Sequence, residues 1–236
     1  MVYRIFMILF VVLLIVYQMN LPSSQSLPKE TQPLEKKVKT MNQQLTSSAE
    51  KGETDNVLKL LKNGAEINAT DRHGKTAVMV ATYNNKVDTV KALIQKAANI
   101  NIRDNNSDNV LLYAGAEGLL EIVKLAIDAG ADTTLTNRYG GTALIPASER
   151  GLVEVVKELL THSDIDVNHI NHLNWTALPE AIILGDGGEK HQKIVQLLVD
   201  HGADIHIADR DGVTPLKHVQ KRGFKEIEKV LKKAGS

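Results

Sequence analysis

The chain contains no cysteine, which excludes disulfides, thiolate metal sites, a cysteine nucleophile and acylation of an N-terminal cysteine. It has no net charge either. Lys and Arg number 28 and Asp and Glu number 28, so the overall positive field of a nucleic-acid binder is missing. Aromatic residues are scarce, at 4%, with a single tryptophan, Trp175. No Gly-x-x-x-x-Gly-Lys-Ser/Thr phosphate loop occurs, and no Ser-His-Asp set or nucleophile elbow, so nothing points to nucleotide chemistry or to hydrolysis. What is present is a composition of 43% apolar and 24% charged residues in 236, enough to bury a substantial core.

Long apolar runs are absent but for one. Ile5 to Val16 is an unbroken stretch of twelve apolar residues behind Arg4 and the α-amino group, the pattern of a secretory signal core. Twelve helical residues rise about 18 Å against a hydrocarbon core of about 30 Å, so a permanent span would have to recruit Tyr17, Gln18 and Met19. No Ala-x-Ala cleavage site follows; Ser24-Gln25-Ser26 is the nearest small-residue pattern. Residues 1–20 are therefore expected to be a signal peptide or an N-terminal membrane anchor that engages the membrane or the export machinery. Residues 21–40, with Pro22, Pro28 and Pro33, are expected to form a flexible linker.

Beyond it the sequence repeats. Asp209-Arg210-Asp211-Gly212-Val213-Thr214-Pro215-Leu216 reads as a tight turn, a Thr cap and a proline at the first helical position. The frame recurs at Asp71, Gly74 and Thr76-Ala77-Val78, at Asp104, Ser107 and Asn109-Val110-Leu111, at Asn137, Gly140 and Thr142-Ala143-Leu144, and at Asn171, Asn174 and Thr176-Ala177-Leu178. The Thr position falls at 76, 109, 142, 176 and 214, giving spacings of 33, 33, 34 and 38. A second frame keeps step: Val57, Val90, Val123, Val156 and Val195 each open an apolar helical stretch, and Gly64, Gly130 and Gly202 follow three of them by seven residues. Turn, helix, helix and small-residue stop make one unit.

A unit of 33 residues with Thr-Pro-Leu near its start resembles the ankyrin repeat, and Thr214-Pro215-Leu216-Lys217-His218 is a close but imperfect copy of that signature. The resemblance runs from Met41 onward and implies an all-α solenoid of about six stacked helix-turn-helix units, with approximate bounds 41–73, 74–106, 107–139, 140–173, 174–211 and 212–236. More narrowly, Leu111 to Gly118, Asn137 to Ala147 and Ala181 to Gly188 look like a bacterial, often exported, ankyrin-repeat subfamily. What the resemblance implies is a non-catalytic protein-binding module without a cofactor. A scaffold or chaperone-like accessory of an exported enzyme and a host-directed effector are its alternatives.

Several constellations invite chemistry. The recurring Asp71, Asp104 and Asp209 could pass for acid–base groups, but Asn137 and Asn171 hold the same place, which argues for hydrogen bonds to the turn backbone. His169-x-x-His172 has the look of a zinc pair, yet no third ligand is placed by the repeat. His162 and His201 stand where a helix C-terminus favours a polar or cationic group, and His206 occupies the place held elsewhere by Asn68, Asn101 and Asn168. Gly185-Asp186-Gly187-Gly188 lacks the strand and the lysine of a phosphate loop and is read as a flexible insertion. Pro146 and Pro179 fall in the first helical turn, where a missing N–H is cheap.

In the ankyrin family, contacts with partners come mainly from turn tips and the exposed end of the first helix. By position these include Arg72, His73, Lys75, Tyr83, Arg138, Tyr139, His172, Leu173, Trp175, Ile183, Leu184 and Arg210. Tyr139, Leu173, Trp175 and Ile183 put large apolar groups on neighbouring tips, and Trp, Tyr and Arg are the usual interface anchors. Arg72, Arg138, His172 and Arg210 share one register, a basic stripe broken at Asn105 that suits an acidic or mixed protein surface. The plain alternative for Trp175 is that it lies over the next turn or the long loop.

Overall fold

The computed structural model describes the backbone of residues 31–235 and side chains from Leu34 onward. The expected hydrophobic helix at 5–19 and residues 21–30 of the expected linker lie outside the described residues. Residues 38–236 form a compact unit distinct from residues 1–37.

Among the described residues there are only helices, arranged in pairs: α1 (Thr31–Lys51) with α2 (Thr54–Lys62), α3 (Ala77–Tyr83) with α4 (Val87–Gln95), and α5 (Val110–Glu117) with α6 (Leu120–Asp128). Then come α7 (Leu144–Glu149) with α8 (Val153–His162), α9 (Ala177–Ile183) with α10 (Glu189–Asp200), and α11 (Pro215–Arg222) with α12 (Lys225–Ala234). From α3 on, each first helix packs on the next first helix, and from α2 on each second helix packs on the next second helix, so the pairs form a two-layered solenoid. The linker expectation fails over residues 31–40, which are helical. Pro33 falls in the first turn of α1, where the amide it lacks would have no intrahelical partner, and the same helix carries the buried Leu45 and Ala49.

The valine frame is the core of the second-helix layer: Val57, Val90, Val123, Val156 and Val195 are all completely buried. Small residues do the equivalent for the first-helix layer. Ala77 and Ala81, Ala143 and Ala147, and Ala177 and Ala181 are buried, and a Cβ on Gly115 would come within 2.9 Å of the Ala143 Cβ. Close approach of these helices therefore depends on side chains no larger than methyl.

The first helices differ at their N-termini. The side chains of Thr76, Asn109 and Thr214 accept the N–H three residues on, from Met79, Leu112 and Lys217. Thr142 and Thr176 make no such cap, and their hydroxyls are buried without a partner. At Thr176 the cause is chemical: the residue three on is Pro179, which has no N–H. At Thr142, Pro146 lacks the N–H that would normally reach the Thr142 carbonyl. The Ile145 N–H takes that carbonyl at 3.2 Å and is drawn off the hydroxyl. The second helices use charge in place of side-chain caps, with Asp55, Asp88, Glu121, Glu154, Glu189 and Glu226 in their first turns beside the positive end of the dipole.

Candidate functional site

Between one pair and the next the chain makes a projecting turn, and one side chain builds each. Oδ1 of Asp71, Asp104, Asn137, Asn171 and Asp209 accepts the N–H of the second and fourth residues after it, at 2.8–3.1 Å in every case. Around that oxygen the main chain closes identically: the first N–H donates to the fifth carbonyl, and the fourth N–H back to the first. The fourth residue has positive φ, filled by Gly74, Gly140 and Gly212 but also by Ser107 (φ 68°) and Asn174 (φ 64°). The sequence reading of these Asp and Asn residues as turn-builders thus matches the geometry. Oδ1 of Asp71, Asp104 and Asp209 is committed to the backbone.

The remaining atom of three of these side chains reaches a first helix. Asp104 Oδ2 accepts from the Tyr83 hydroxyl at 2.8 Å, Asn171 Nδ2 donates to Glu180 Oε1 at 2.7 Å, and Asp209 Oδ2 is 2.7 Å from His218 Nε2. Glu180 is only 4% exposed and its second oxygen has no partner. Burial, reinforced by the charge of Glu149, raises its pKa from the usual 4.5 to about 7, against the pull of the Asn171 hydrogen bond. Burial likewise pushes the Tyr83 phenol up, against the Asn106 hydrogen bond and with Asp104 adding to it, and pushes the Asp108 carboxyl up, with the charge of Asp104 as the second cause.

Neighbouring tips are linked at three of the four steps along the row. The Asn105 N–H donates to the His73 carbonyl and the His172 N–H to the Tyr139 carbonyl, each at 3.0 Å. The Arg210 guanidinium donates to the His172 carbonyl. The His172 ring lies against Gly140, where a Cβ would come within 2.6 Å of it.

The predicted contact residues fall as follows. Tyr139 and Leu173 are 61% and 51% exposed, and the Arg138 guanidinium sits over the Tyr139 ring, 4.8 Å from its centroid. Arg72, Arg138, His172 and Arg210 are all exposed in one register, with Asn105 interrupting them, and Trp175 and Ile183 are half-buried. Sequence reasoning gave Leu184 no particular weight and passed over Ile170; these are 50% and 45% exposed. It also passed over Tyr113 as a contact residue. That ring packs on Tyr83 with centroids 3.9 Å apart, and the Lys75 ammonium lies 3.5 Å from the Tyr83 centroid. The available signal was a tyrosine in each of two successive first helices.

The histidines and the glycine insertion require two corrections. His206 does not take over the role of the asparagines. Asn68, Asn101 and Asn168 accept the main-chain N–H of Asn99, Asp132 and Asp204 in the following unit, whereas the contact of His206 is its own N–H to Asp204. The loop at 185–188, expected to be flexible, is packed on both sides. Asp186 Oδ1 accepts the Gly188 N–H and contacts His191 Nδ1, each at 2.8 Å. Arg222 donates to the carbonyls of Ile183 and Gly185, each at 2.8 Å. A Cβ on Gly187 would meet the Phe224 ring at 2.5 Å, so glycine here makes room for a neighbour. His201 Nδ1 is 2.8 Å from the Leu197 carbonyl, as expected for a group completing a helix end. His169 Nε2 is engaged by the Gly140 carbonyl at 2.7 Å. Among the described residues no group of three or more His, Asp or Glu side chains could hold a metal ion.

Paired helices in two stacked layers and joined by hydrogen-bonded tips define a repeat protein. The chain belongs to the ankyrin-repeat family: it matches the family described as Ankyrin repeats (3 copies) over residues 45–137 and 111–209. Such repeats are in general protein–protein interaction modules, and the fold is typically non-catalytic. A crystal structure of an ankyrin repeat domain from Acinetobacter baumannii AYE is 48% identical, with a TM-score of 0.79, covering 81% of this chain and 97% of that one. The ankyrin repeat protein EF0377 is 37% identical, with a TM-score of 0.77, covering 80% of this chain and 96% of that one. The ankyrin repeat protein YahD of Escherichia coli (strain K12) is 54% identical over 79 residues, which span 34% of this chain and 39% of YahD.

Proposed function

We propose that this chain is a non-catalytic docking module, exported from a bacterial cell, that holds a protein partner against the tips of its fourth and fifth repeats. The observation that carries the reading is where large apolar side chains are left exposed. Of five such residues among those described, Tyr139 and Leu173 stand on the tips that lead into α7 and α9, Ile170 lies just before the second of these tips, Leu184 follows α9, and only Leu34 lies elsewhere. Arg138, His172 and Arg210 border them, with Asp211 as the exposed acid on the same row. Apolar anchors rimmed by basic side chains favour a partner segment that is apolar at its centre and acidic at its margin. The export half of the proposal rests on Arg4 and the apolar run Ile5 to Val16.

A photo-crosslinking residue placed at Tyr139 or Leu173 in the native cell tests the surface. Both positions should capture one discrete partner, and the same residue at Gln196, exposed on α10, should not. A folded Tyr139→Ala, Trp175→Ala double variant should lose most of that yield; equal capture from all three positions, or full yield from the double variant, removes the surface. Recovery of the full-length chain solely from cytosol would remove export without touching the surface.

A further inference from the structure

We propose that the insertion in repeat five builds a second docking site, a cleft at the far ends of the first helices from the tips, which takes the C-terminal carboxylate of a protein chain that ends in an aliphatic residue. Set against the buried valines, α2, α4, α6 and α8 begin three residues before Val57, Val90, Val123 and Val156, whereas α10 begins six residues before Val195. The insertion thus adds nearly one turn to the start of α10. That turn is held in place. The His191 ring bridges the Glu149 carbonyl and Asp186 Oδ1, at 2.9 and 2.8 Å, and Arg222 holds the Gly185 carbonyl behind it. A Cβ on Gly151 would come within 3.5 Å of the Lys190 Cβ, so the added turn lies against the loop of repeat four.

Beside this turn opens a cleft of about 500 Å³. Its aliphatic lining comes from Leu120, Leu152 and Val153, all half-buried. Its charge comes from Lys190 and Lys193, three residues apart on α10 and so on one face of it. Both are exposed, and neither forms a hydrogen bond or an ion pair with another described residue. Lys193 also breaks the repeat. Two residues before the valine the other frames carry Asp55, Asp88, Glu121 and Glu154, acids that face the positive end of a helix dipole. In α10 the added turn gives that duty to Glu189 and leaves position 193 free for the opposite charge. Glu154 is the one acid in the lining, against two ammonium groups. A chain terminus carries its carboxylate and its last side chain on the same Cα, which fits a lining where cationic and aliphatic groups adjoin.

The probe is the tetrapeptide acetyl-Ala-Ala-Leu-Leu with a free carboxylate, titrated into the isotope-labelled full chain and followed by NMR. The amide resonances of Leu152, Val153, Lys190 and Lys193 should shift saturably. The same peptide ending in a carboxamide should bind about tenfold more weakly, the size of one charge-assisted contact. Lys193→Glu, which restores the sign of charge found in the other repeats, should weaken binding by about tenfold, and Lys190→Gln should weaken it as well. Lys91→Glu, the same change of charge on α4, should leave binding unaltered. A carboxamide bound as tightly as the acid, undiminished binding by a folded Lys193→Glu variant, or no saturable shift at about 10 mM peptide overturns the site. Octanoate that displaces the peptide at equal concentration assigns the cleft to a free aliphatic acid and overturns the peptide as its occupant. The cleft and the tips share no residue, so the crosslinking result at Tyr139 and Leu173 stands or falls separately.

Discussion

Glu180 shows how a side chain buried for the sake of the backbone acquires a titration of its own. Its Oε1 serves Asn171, whose other end builds the tip that carries Leu173 and Trp175. The folded chain holds the Glu180 proton up to about pH 7, while the unfolded chain releases it near 4.5. The unfolded state therefore binds fewer protons in this window, and stability is full below pH 4.5 and declines as pH rises to 7. Glu180→Gln keeps the acceptor and abolishes the charge. It should leave stability little changed at pH 4.5 and raise it by about 1–3 kcal/mol at pH 8, as read by urea denaturation at the two pH values. An unchanged pH profile would mean that the carboxyl finds a partner when ionised.

The first helices permit a comparison in which one substitution has two outcomes. Thr76 caps Met79 and Thr176, facing Pro179, caps nothing. Thr76→Val should cost about 1–2 kcal/mol, the usual worth of a Thr cap. Thr176→Val replaces a buried, unpartnered hydroxyl with a methyl group and should be neutral or slightly stabilising, with both measured by chemical denaturation. Sequence alone disclosed the elements because each was stated five times: the Asp or Asn, the Thr slot and the valine are local signals whose register agrees. It misjudged whatever depended on contact between units. Gly185 to Gly188 looked mobile by composition, since Arg222 and Phe224, which hold it, come from the following unit. Pro33 looked like tether because the helix it begins is revealed by the burial of Leu45 and Ala49. The exposed apolar tips Tyr139 and Leu173 were legible because they break a polar pattern, whereas the place of Ile170 holds Thr70, Arg103, Thr136 and Ala208 in the other repeats and sets no pattern to break.

At the scale of the whole compact unit, each pair touches only its neighbours, so cooperativity depends on every interface in turn. The contact of Gly115 with Ala143 is the tightest point between the third and fourth repeats for which a test is simple. Gly115→Val should overpack it at a cost of about 1–3 kcal/mol and uncouple the two ends. Trp175 is the only tryptophan, so its emission reports the fifth repeat while circular dichroism reports all helices. The two unfolding curves should coincide for the parent and separate for the variant; curves that stay together would show that coupling bypasses this interface.

The oxygen that closes each tip also decides what evolution can vary there. Because Oδ1 of Asp71, Asp104, Asn137, Asn171 and Asp209 closes the turn through main-chain amides, the two side chains directly after each are not needed to close it. Ten positions, from Arg72 and His73 to Arg210 and Asp211, thus form a palette that can be repainted for a new recipient while the frame beneath keeps its shape.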